Sequence, residues 1–398
     1  MIRRHLTTAL RKAAKDYPVV TLTGPRQSGK TTLVRSVFSK HDYVSLEDPD
    51  ERSFALEDPR GFLRQFRGRV VLDEVQRAPE LPSYIQGIVD EMDRPGQFVL
   101  TGSQNLLLLD TISQSLAGRT SMLHLFPFAR SELKRRAPMS ISDVGRVAPR
   151  STGDDADLFD TLFRGFYPRI HDKGLDPQNW LCNYYQTYVE RDVREVLNVG
   201  DLETFGRFIR LCAGRCGQLL SLSSLAADCG VSHATARRWL STLETGFLVY
   251  LLRPHHRNFN KRLVKSPKLY FLDTGLLCYL LRIRTPEDLV SHALRGAIFE
   301  TFVVSELLKN YHNRGEQPDL YFWRDSAGHE VDLIIERGDR LIPVEVKSGE
   351  TVAGDFFRAL DFWRRLPGQA ECAASVVYGG GRSFKRKGVV VHSWSRWG

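Results

Sequence analysis

The sequence predicts an α/β protein in three parts. A parallel-sheet core comes first, then a helical segment leading into helix–turn–helix–strand, then an αβββαβ unit. Three observations carry this. GPRQSGKTT (Gly24–Thr32) lies between an apolar, β-branched strand and a helix. SLSSLAADCGVSHATARRWLSTLETGFLVYLLRP reads helix, glycine turn, helix, strand. GAIFETFVVSELLK precedes three strand-like runs that carry Asp332, Glu345 and Lys347. The divisions expected are 1–133 for the sheet core, 134–157 for a loop or linker, 158–215 for a helical segment, 216–290 for the helix–turn–helix with a basic wing, and 291–398 for the αβββαβ unit.

In chain order, MIRRHLTTALRKAAKDY is basic and amphipathic and mimics a transit peptide. Because it runs straight into a strand, it reads as a structural helix with Ile2, Leu6 and Leu10 on one face. VVTLT (Val19–Thr23) is the strand before the loop. Gly24 and Gly29 permit close backbone approach to phosphates, and the N–H groups of Gly24, Pro25 (which lacks one), Arg26, Gln27, Ser28, Gly29, Lys30, Thr31 and Thr32 define the phosphate-binding loop and helix start. Lys30 is placed to reach β- and γ-phosphates and Thr31 to bind Mg²⁺, so ATP with Mg²⁺ is the expected ligand. The following TTLVRSVFSK is a helix whose N-terminus faces the anion.

RVVLDEVQ (Arg69–Gln76) is a second buried strand ending in acids. Asp73 is expected to hold the metal and Glu74 to act as general base on the attacking water. FVLTGSQN (Phe98–Asn105) is a third strand with polar groups at its C-terminal end; Ser103, Gln104 or Asn105 could sense the γ-phosphate, and the sequence does not choose. Arg119, just before MLHLF, reads either as a finger to a neighbouring subunit's phosphate or as a surface salt bridge.

Lys134–Asp157 is rich in Pro, Ser, Gly and charge and reads as loop or linker. Residues 158 to about 212 look helical, and the aromatics Trp180, Tyr184, Tyr185 and Tyr188 read as core. Next, Gly230 closes one helix and Ser232 caps the next, with Ala236, Trp239, Leu240 and Leu243 inward and Thr235, Arg237 and Arg238 outward. This is a winged-helix pattern, a fold that serves DNA contact or protein docking. RPHHRNFNKRLVKSPK (Arg253–Lys268) has six Lys or Arg, two His and no acid; on a wing it would lie along phosphates, with Arg257, Lys261 and Arg262 as contacts, unless it is a solvated loop or meets an acidic neighbour.

In the last third, strands are expected at Leu320–Trp323, Glu330–Glu336 and Arg340–Lys347, a helix over Val352–Arg365, and a strand at Ser375–Gly379. Asp332 interrupts an apolar strand, Glu345 and Lys347 share a face, and Glu300 lies on the preceding helix. This matches the PD-(D/E)XK nuclease pattern: Asp332 and Glu345 as Mg²⁺ ligands, Glu300 as the helical acid, and Lys347 orienting water. The alternatives are acids on an exposed sheet edge, or a nuclease fold kept as a DNA-binding platform.

The net charge of +9 favours an anionic partner, most simply DNA. There is no apolar run long enough to cross a membrane. The six cysteines are scattered; Cys212 and Cys216 are one helical turn apart, but no second pair completes a zinc site, so reduced thiols and a cytoplasmic setting are expected.

GPRQSGKTT, VVLDEVQ, FVLTGSQN and LAGR, with GFYPRI (Gly165–Ile170), YVERDV (Tyr188–Val193), KLYFLDTGL (Lys268–Leu276) and GAIFETFVVSEL (Gly296–Leu307), resemble a bacterial and archaeal family of predicted AAA-type ATPases. The resemblance spans nearly the whole chain and implies a P-loop ATPase core with a C-terminal domain related to the restriction-endonuclease fold. The expected function is an ATP-hydrolysing DNA-processing protein whose nuclease-like centre either cuts with a metal or serves only to bind DNA, working as a homo-oligomer such as a ring if Arg119 acts in trans. Its rivals are a non-cutting nucleotide-dependent switch on DNA or protein, serving as regulator or defence sensor, and a protein-remodelling ATPase.

Overall fold

The computed structural model describes residues 2–103, 114–146, 157–189, 202–255, 265–369 and 372–397. The expected sensors Gln104 and Asn105, the wing residues Arg257, Lys261 and Arg262, and the side chain of Tyr188 lie outside the described residues.

Five strands form the first sheet: β1 (Val19–Gly24), β2 (Asp42–Ser45), β3 (Val70–Asp73), β4 (Phe98–Ser103) and β5 (Thr120–His124), in the order β2-β3-β4-β1-β5. All pairings are parallel. β1, β3 and β4 are buried on both faces, which is why they read as continuous apolar runs. Val20, Leu22, Val71 and Val99 pack with Leu6 and Leu10 of the N-terminal helix region and with Leu33 and Val34 of the helix Lys30–Val37. Val19, Val70, Leu72 and Leu100 face the other way, onto Ile85 and Val89 of the helix Leu81–Met92. β4 stands between the strand that feeds the phosphate loop and the strand that ends in Asp73, so their C-terminal ends share one edge.

Among the described residues the second sheet has eight strands. To β6 (Val249–Pro254) and β7 (Lys268–Phe271) it adds β8 (Leu320–Arg324), β9 (Glu330–Arg337), β10 (Arg340–Lys347), β11 (Ser375–Tyr378), β12 (Phe384–Arg386) and β13 (Val389–Ser393). The order is β12-β13-β11-β10-β9-β8-β6-β7. The helices Leu222–Cys229 and His233–Thr245 precede the β6–β7 hairpin; Gly230 is left-handed at the first helix end, and Ser232 Oγ accepts from Thr235 N. The hairpin and the αβββαβ strands form one sheet: Arg253 pairs with Tyr321, Pro254 with Phe322, and His255 N donates to Phe322 O at 2.7 Å.

The helix Arg295–Asn313 lies under both halves of the molecule, buried almost all round, and packs against β5, β7 and β10. Lys309 Nζ donates to Glu306 Oε1 (2.8 Å) and to Phe128 O (3.0 Å), while Glu306 Oε2 accepts from Arg130 N (2.8 Å), so a buried charge pair on this helix ties down the chain leaving β5.

Within the stretch expected as loop or linker, the described residues 134–146 are held to the body: Ile141 and Val144 are buried in the main core, and Val144 O accepts from His392 Nε2 at 2.6 Å and from Ser375 Oγ. Other expectations are corrected. The helix expected over Val352–Arg365 is a short 3-10 turn, Gly354–Phe357, followed by the helix Arg358–Trp363. β7, β12 and β13 were not foreseen; their short runs lack a clear period-2 alternation.

Candidate functional site

The phosphate loop connects β1 to the helix Lys30–Val37 through two unusual backbone positions. Gly24 has φ 151° and Gly29 has φ 93°. A Cβ on Gly24 would stand 2.1 Å from Leu125 O, so only glycine lets the loop pass the end of β5. Lys30 is 5% exposed, and its Nζ donates to Gly24 O (3.0 Å) and Pro25 O (2.9 Å). Burial lowers its pKa from the ordinary 10.5 to about 8, although Glu74 and Asp73 oppose the shift. Gln27 is left-handed and exposed, and Ser28 Oγ is buried with no hydrogen-bond partner among the described residues.

The expected metal ligands meet. Thr31 Oγ1 donates to Asp73 Oδ2 at 2.8 Å. Tyr43 OH donates to the same oxygen at 2.7 Å, and Thr101 Oγ1 donates to Oδ1. Burial, then the Asp73 carboxylate, raises the Tyr43 pKa, so Tyr43 remains a donor. Glu74 follows in a left-handed conformation (φ 58°), and its carboxylate accepts from Gln76 Nε2, which also donates to Ser103 Oγ at 3.0 Å. Glu74, Gln76 and Ser103 thus form one hydrogen-bonded string across β3 and β4. A hydroxyl beside a hard carboxylate, an ammonium resting on carbonyls that a phosphate can replace, and an unsatisfied Ser28 hydroxyl fit Mg²⁺ and a triphosphate.

Sequence reasoning missed four residues here: Tyr43, Thr101, Gln76 and Arg4. Arg4 is 8% exposed and donates to Ser28 O (2.7 Å), Phe126 O (2.6 Å) and Glu132 Oε1 (3.1 Å), so it clamps the loop to the chain after β5. Nothing in a basic amphipathic segment distinguishes it from its exposed neighbours. Beside the loop, a cavity of about 430 Å³ lies between Gly29 and Thr32 on one side and Arg3, Arg11, Phe128 and Pro168 on the other. Arg119 takes the salt-bridge reading within the chain: it is partly exposed, with Nε on Asp90 Oδ1 at 2.5 Å.

The second constellation also gathers. Glu345 Oε1 accepts from Lys347 Nζ (2.5 Å), and Asp332 Oδ2 accepts from Val346 N (2.9 Å) with Lys347 Nζ at 3.9 Å. Glu300 Oε1 accepts from Tyr270 OH at 2.5 Å. Burial, then the Asp332 charge, pushes Glu345 up to about 8. Lys268 stands between Glu300 and Glu330, 2% exposed. Burial alone would lower its pKa, but Glu300, Asp332 and Glu330 outweigh that and raise it. This corrects one expectation. Lys268, counted with the basic wing, points inward, as does His255, whose Nε2 lies 3.3 Å from Glu336 Oε2. Ammonium groups stand among the carboxylates, Lys268 between Glu300 and Glu330 and Lys347 on Glu345.

Arg237 and Arg238 are exposed on the helix His233–Thr245, as expected. All six cysteines are free thiols. No helix among the described residues is long and apolar enough to cross a membrane.

Against known proteins, residues 16–134 match the family described as AAA domain. Residues 155–287 and 295–397 match two domains of unknown function, DUF8612 and DUF4143. Uncharacterized proteins of Mycobacterium tuberculosis and Mycobacterium bovis are each 34% identical over 351 residues, 88% of this chain and 74% of theirs. Among solved structures, a Walker-type ATPase of Pyrococcus abyssi aligns at 15% identity over 71% of this chain and 96% of that one, with a TM-score of 0.43. The Holliday junction branch migration motor RuvB of Thermotoga maritima aligns at 22% identity over 62% of this chain and 87% of that one, with a TM-score of 0.28.

Proposed function

This chain belongs to the same family as the two mycobacterial proteins, with an AAA domain built on a P-loop, and from that premise we propose that it is an ATPase that couples hydrolysis to the handling of DNA. The observation that carries the reading is the convergence of Lys30, Thr31, Asp73 and Glu74 at the C-terminal ends of β1 and β3. Thr31 and Asp73 would hold Mg²⁺, which supplies charge neutralisation at the phosphates. Lys30 would leave the carbonyls of Gly24 and Pro25 for the phosphate oxygens. Glu74 would take the proton of the attacking water, and its tie through Gln76 to Ser103 would let the base register what lies at the end of β4. The cavity lined by Arg3, Arg11, Phe128 and Pro168 is sized for the base and sugar.

DNA is the proposed partner because Arg237 and Arg238 are exposed on the second helix of a helix–turn–helix followed by a hairpin, an order that fits a winged helix, in a chain of net charge +9. Arg119 would serve a neighbouring copy of a homo-oligomer only after leaving Asp90. The deciding measurement is ATP turnover with and without linear, nicked, branched and single-stranded DNA. Stimulation by one form names the substrate class, and Lys30→Ala abolishes it. Turnover indifferent to every form, with no DNA retained in a binding assay, refutes the DNA half of the reading.

A further inference from the structure

We infer that in this chain the Lys268 ammonium takes the position a divalent cation would hold among Glu300, Glu330 and Asp332, so that the nuclease-like unit binds nucleic acid without cutting it. The inference rests on reading the αβββαβ unit as restriction-endonuclease-like. Lys268 Nζ lies 3.1 Å from Glu300 Oε1, 2.5 Å from Glu330 Oε1 and 4.0 Å from Asp332 Oδ1. It reaches them from β7, a strand of the preceding hairpin, with its own side chain fully enclosed. A hard cation needs several oxygens converging on one point with lone pairs free for it. Here the point on which Glu300, Glu330 and Asp332 converge is taken by the Lys268 ammonium, and the remaining contacts hold the acids around it: Glu300 Oε1 also accepts from Tyr270 OH, Asp332 Oδ2 accepts from Val346 N, and Glu345 Oε1 accepts from Lys347.

Charge points the same way. Four carboxylates, Glu300, Glu330, Asp332 and Glu345, already face three cations: Lys268, Lys347 and Arg324, whose Nη1 lies 2.9 Å from Glu330 Oε2. A further divalent ion would overcompensate the cluster and would have to expel an ammonium that no solvent reaches. The ammonium also joins the hairpin to the long helix and to β9, which an exchangeable metal would do only while bound.

The test is Mn²⁺ binding to the nucleotide-free full-length chain, followed by electron paramagnetic resonance and by the thermal midpoint with Mn²⁺ or EDTA. The native chain and Asp332→Asn are expected to respond identically to Mn²⁺, and no DNA form is cleaved with Mn²⁺ or Mg²⁺ present. Lys268→Met removes the resident cation; it is expected to bind Mn²⁺ stoichiometrically and to melt several degrees higher with Mn²⁺ than in EDTA, whereas Lys268→Arg stays indifferent. Stoichiometric Mn²⁺ on the native chain that Asp332→Asn abolishes would overturn the inference. So would a folded Lys268→Met that takes up no Mn²⁺. If Lys268→Met does not fold, the native and Asp332→Asn comparison decides alone. ATP turnover and DNA affinity are read separately, so a failure of the ATPase proposal leaves this outcome distinguishable.

Discussion

Lys30→Met should abolish ATP binding and at the same time make the empty protein more stable. The ammonium is fully enclosed, with its pKa lowered from 10.5 to about 8, and at about 1.4 kcal/mol per unit the charged form costs the folded state about 3 kcal/mol at neutral pH. Replacement leaves Gly24 O and Pro25 O without their donor, which returns about 1–2 kcal/mol. The net gain is therefore roughly 1–2 kcal/mol. The sign of its pH dependence follows from the lowered folded pKa. Between about 8 and 10.5 the unfolded chain binds more protons than the folded one, so native stability rises with pH across that window. Below about 8 the whole penalty is present. Urea unfolding of both proteins without nucleotide, at neutral pH and again near pH 10, measures it. The advantage of Lys30→Met should be clear at neutral pH and shrink in alkali. A variant less stable than the native chain at neutral pH, or a difference that ignores pH, refutes the reasoning.

Glu74→Gln should retain ATP and lower turnover by roughly 10²–10⁴-fold, read by equilibrium binding beside steady-state hydrolysis; equal losses in both would show a binding role instead. Gly24→Ala should cost at least about 2 kcal/mol, because its Cβ meets the Leu125 carbonyl at a backbone angle that disfavours side chains; unchanged denaturation would contradict this. His124 and His312, ring to ring at 5.2 Å, are held down by burial to about 4 and about 3, so the folded state should lose stability as pH falls from about 6.5 toward 4, and His312→Phe should flatten that acid limb in a thermal-melt pH series. Arg237→Glu with Arg238→Glu should weaken DNA binding and reduce the slope of log affinity against log salt by about 1–2; an unaltered slope would take this helix off the phosphates.

The phosphate loop could be read from the chain because its chemistry needs glycines, a lysine and a threonine at fixed spacing between a strand and a helix. The expectation that Thr31 and Asp73 would be neighbours followed from the same logic and agrees with their 2.8 Å contact. What escaped was long-range. Tyr43 and Thr101 reach Asp73 from neighbouring strands, and no local pattern marks them. Arg4 was hidden by its surroundings, since a buried arginine in the basic segment ahead of the first helix looks like a solvated one until its three acceptors are placed. Lys268 misled for the opposite reason. It ends a strongly basic stretch, so composition assigned it to solvent, while its carboxylate partners lie at residues 300 and 330.

The hydrogen bonds from β6 to β8 set a limit on how this protein can be dissected. A fragment beginning near residue 291 would carry a bare strand edge, prone to sticking to its own copies, and two acids robbed of their counterion. A fragment ending there would leave Lys268 as a stranded charge. The two pieces therefore have to be expressed together.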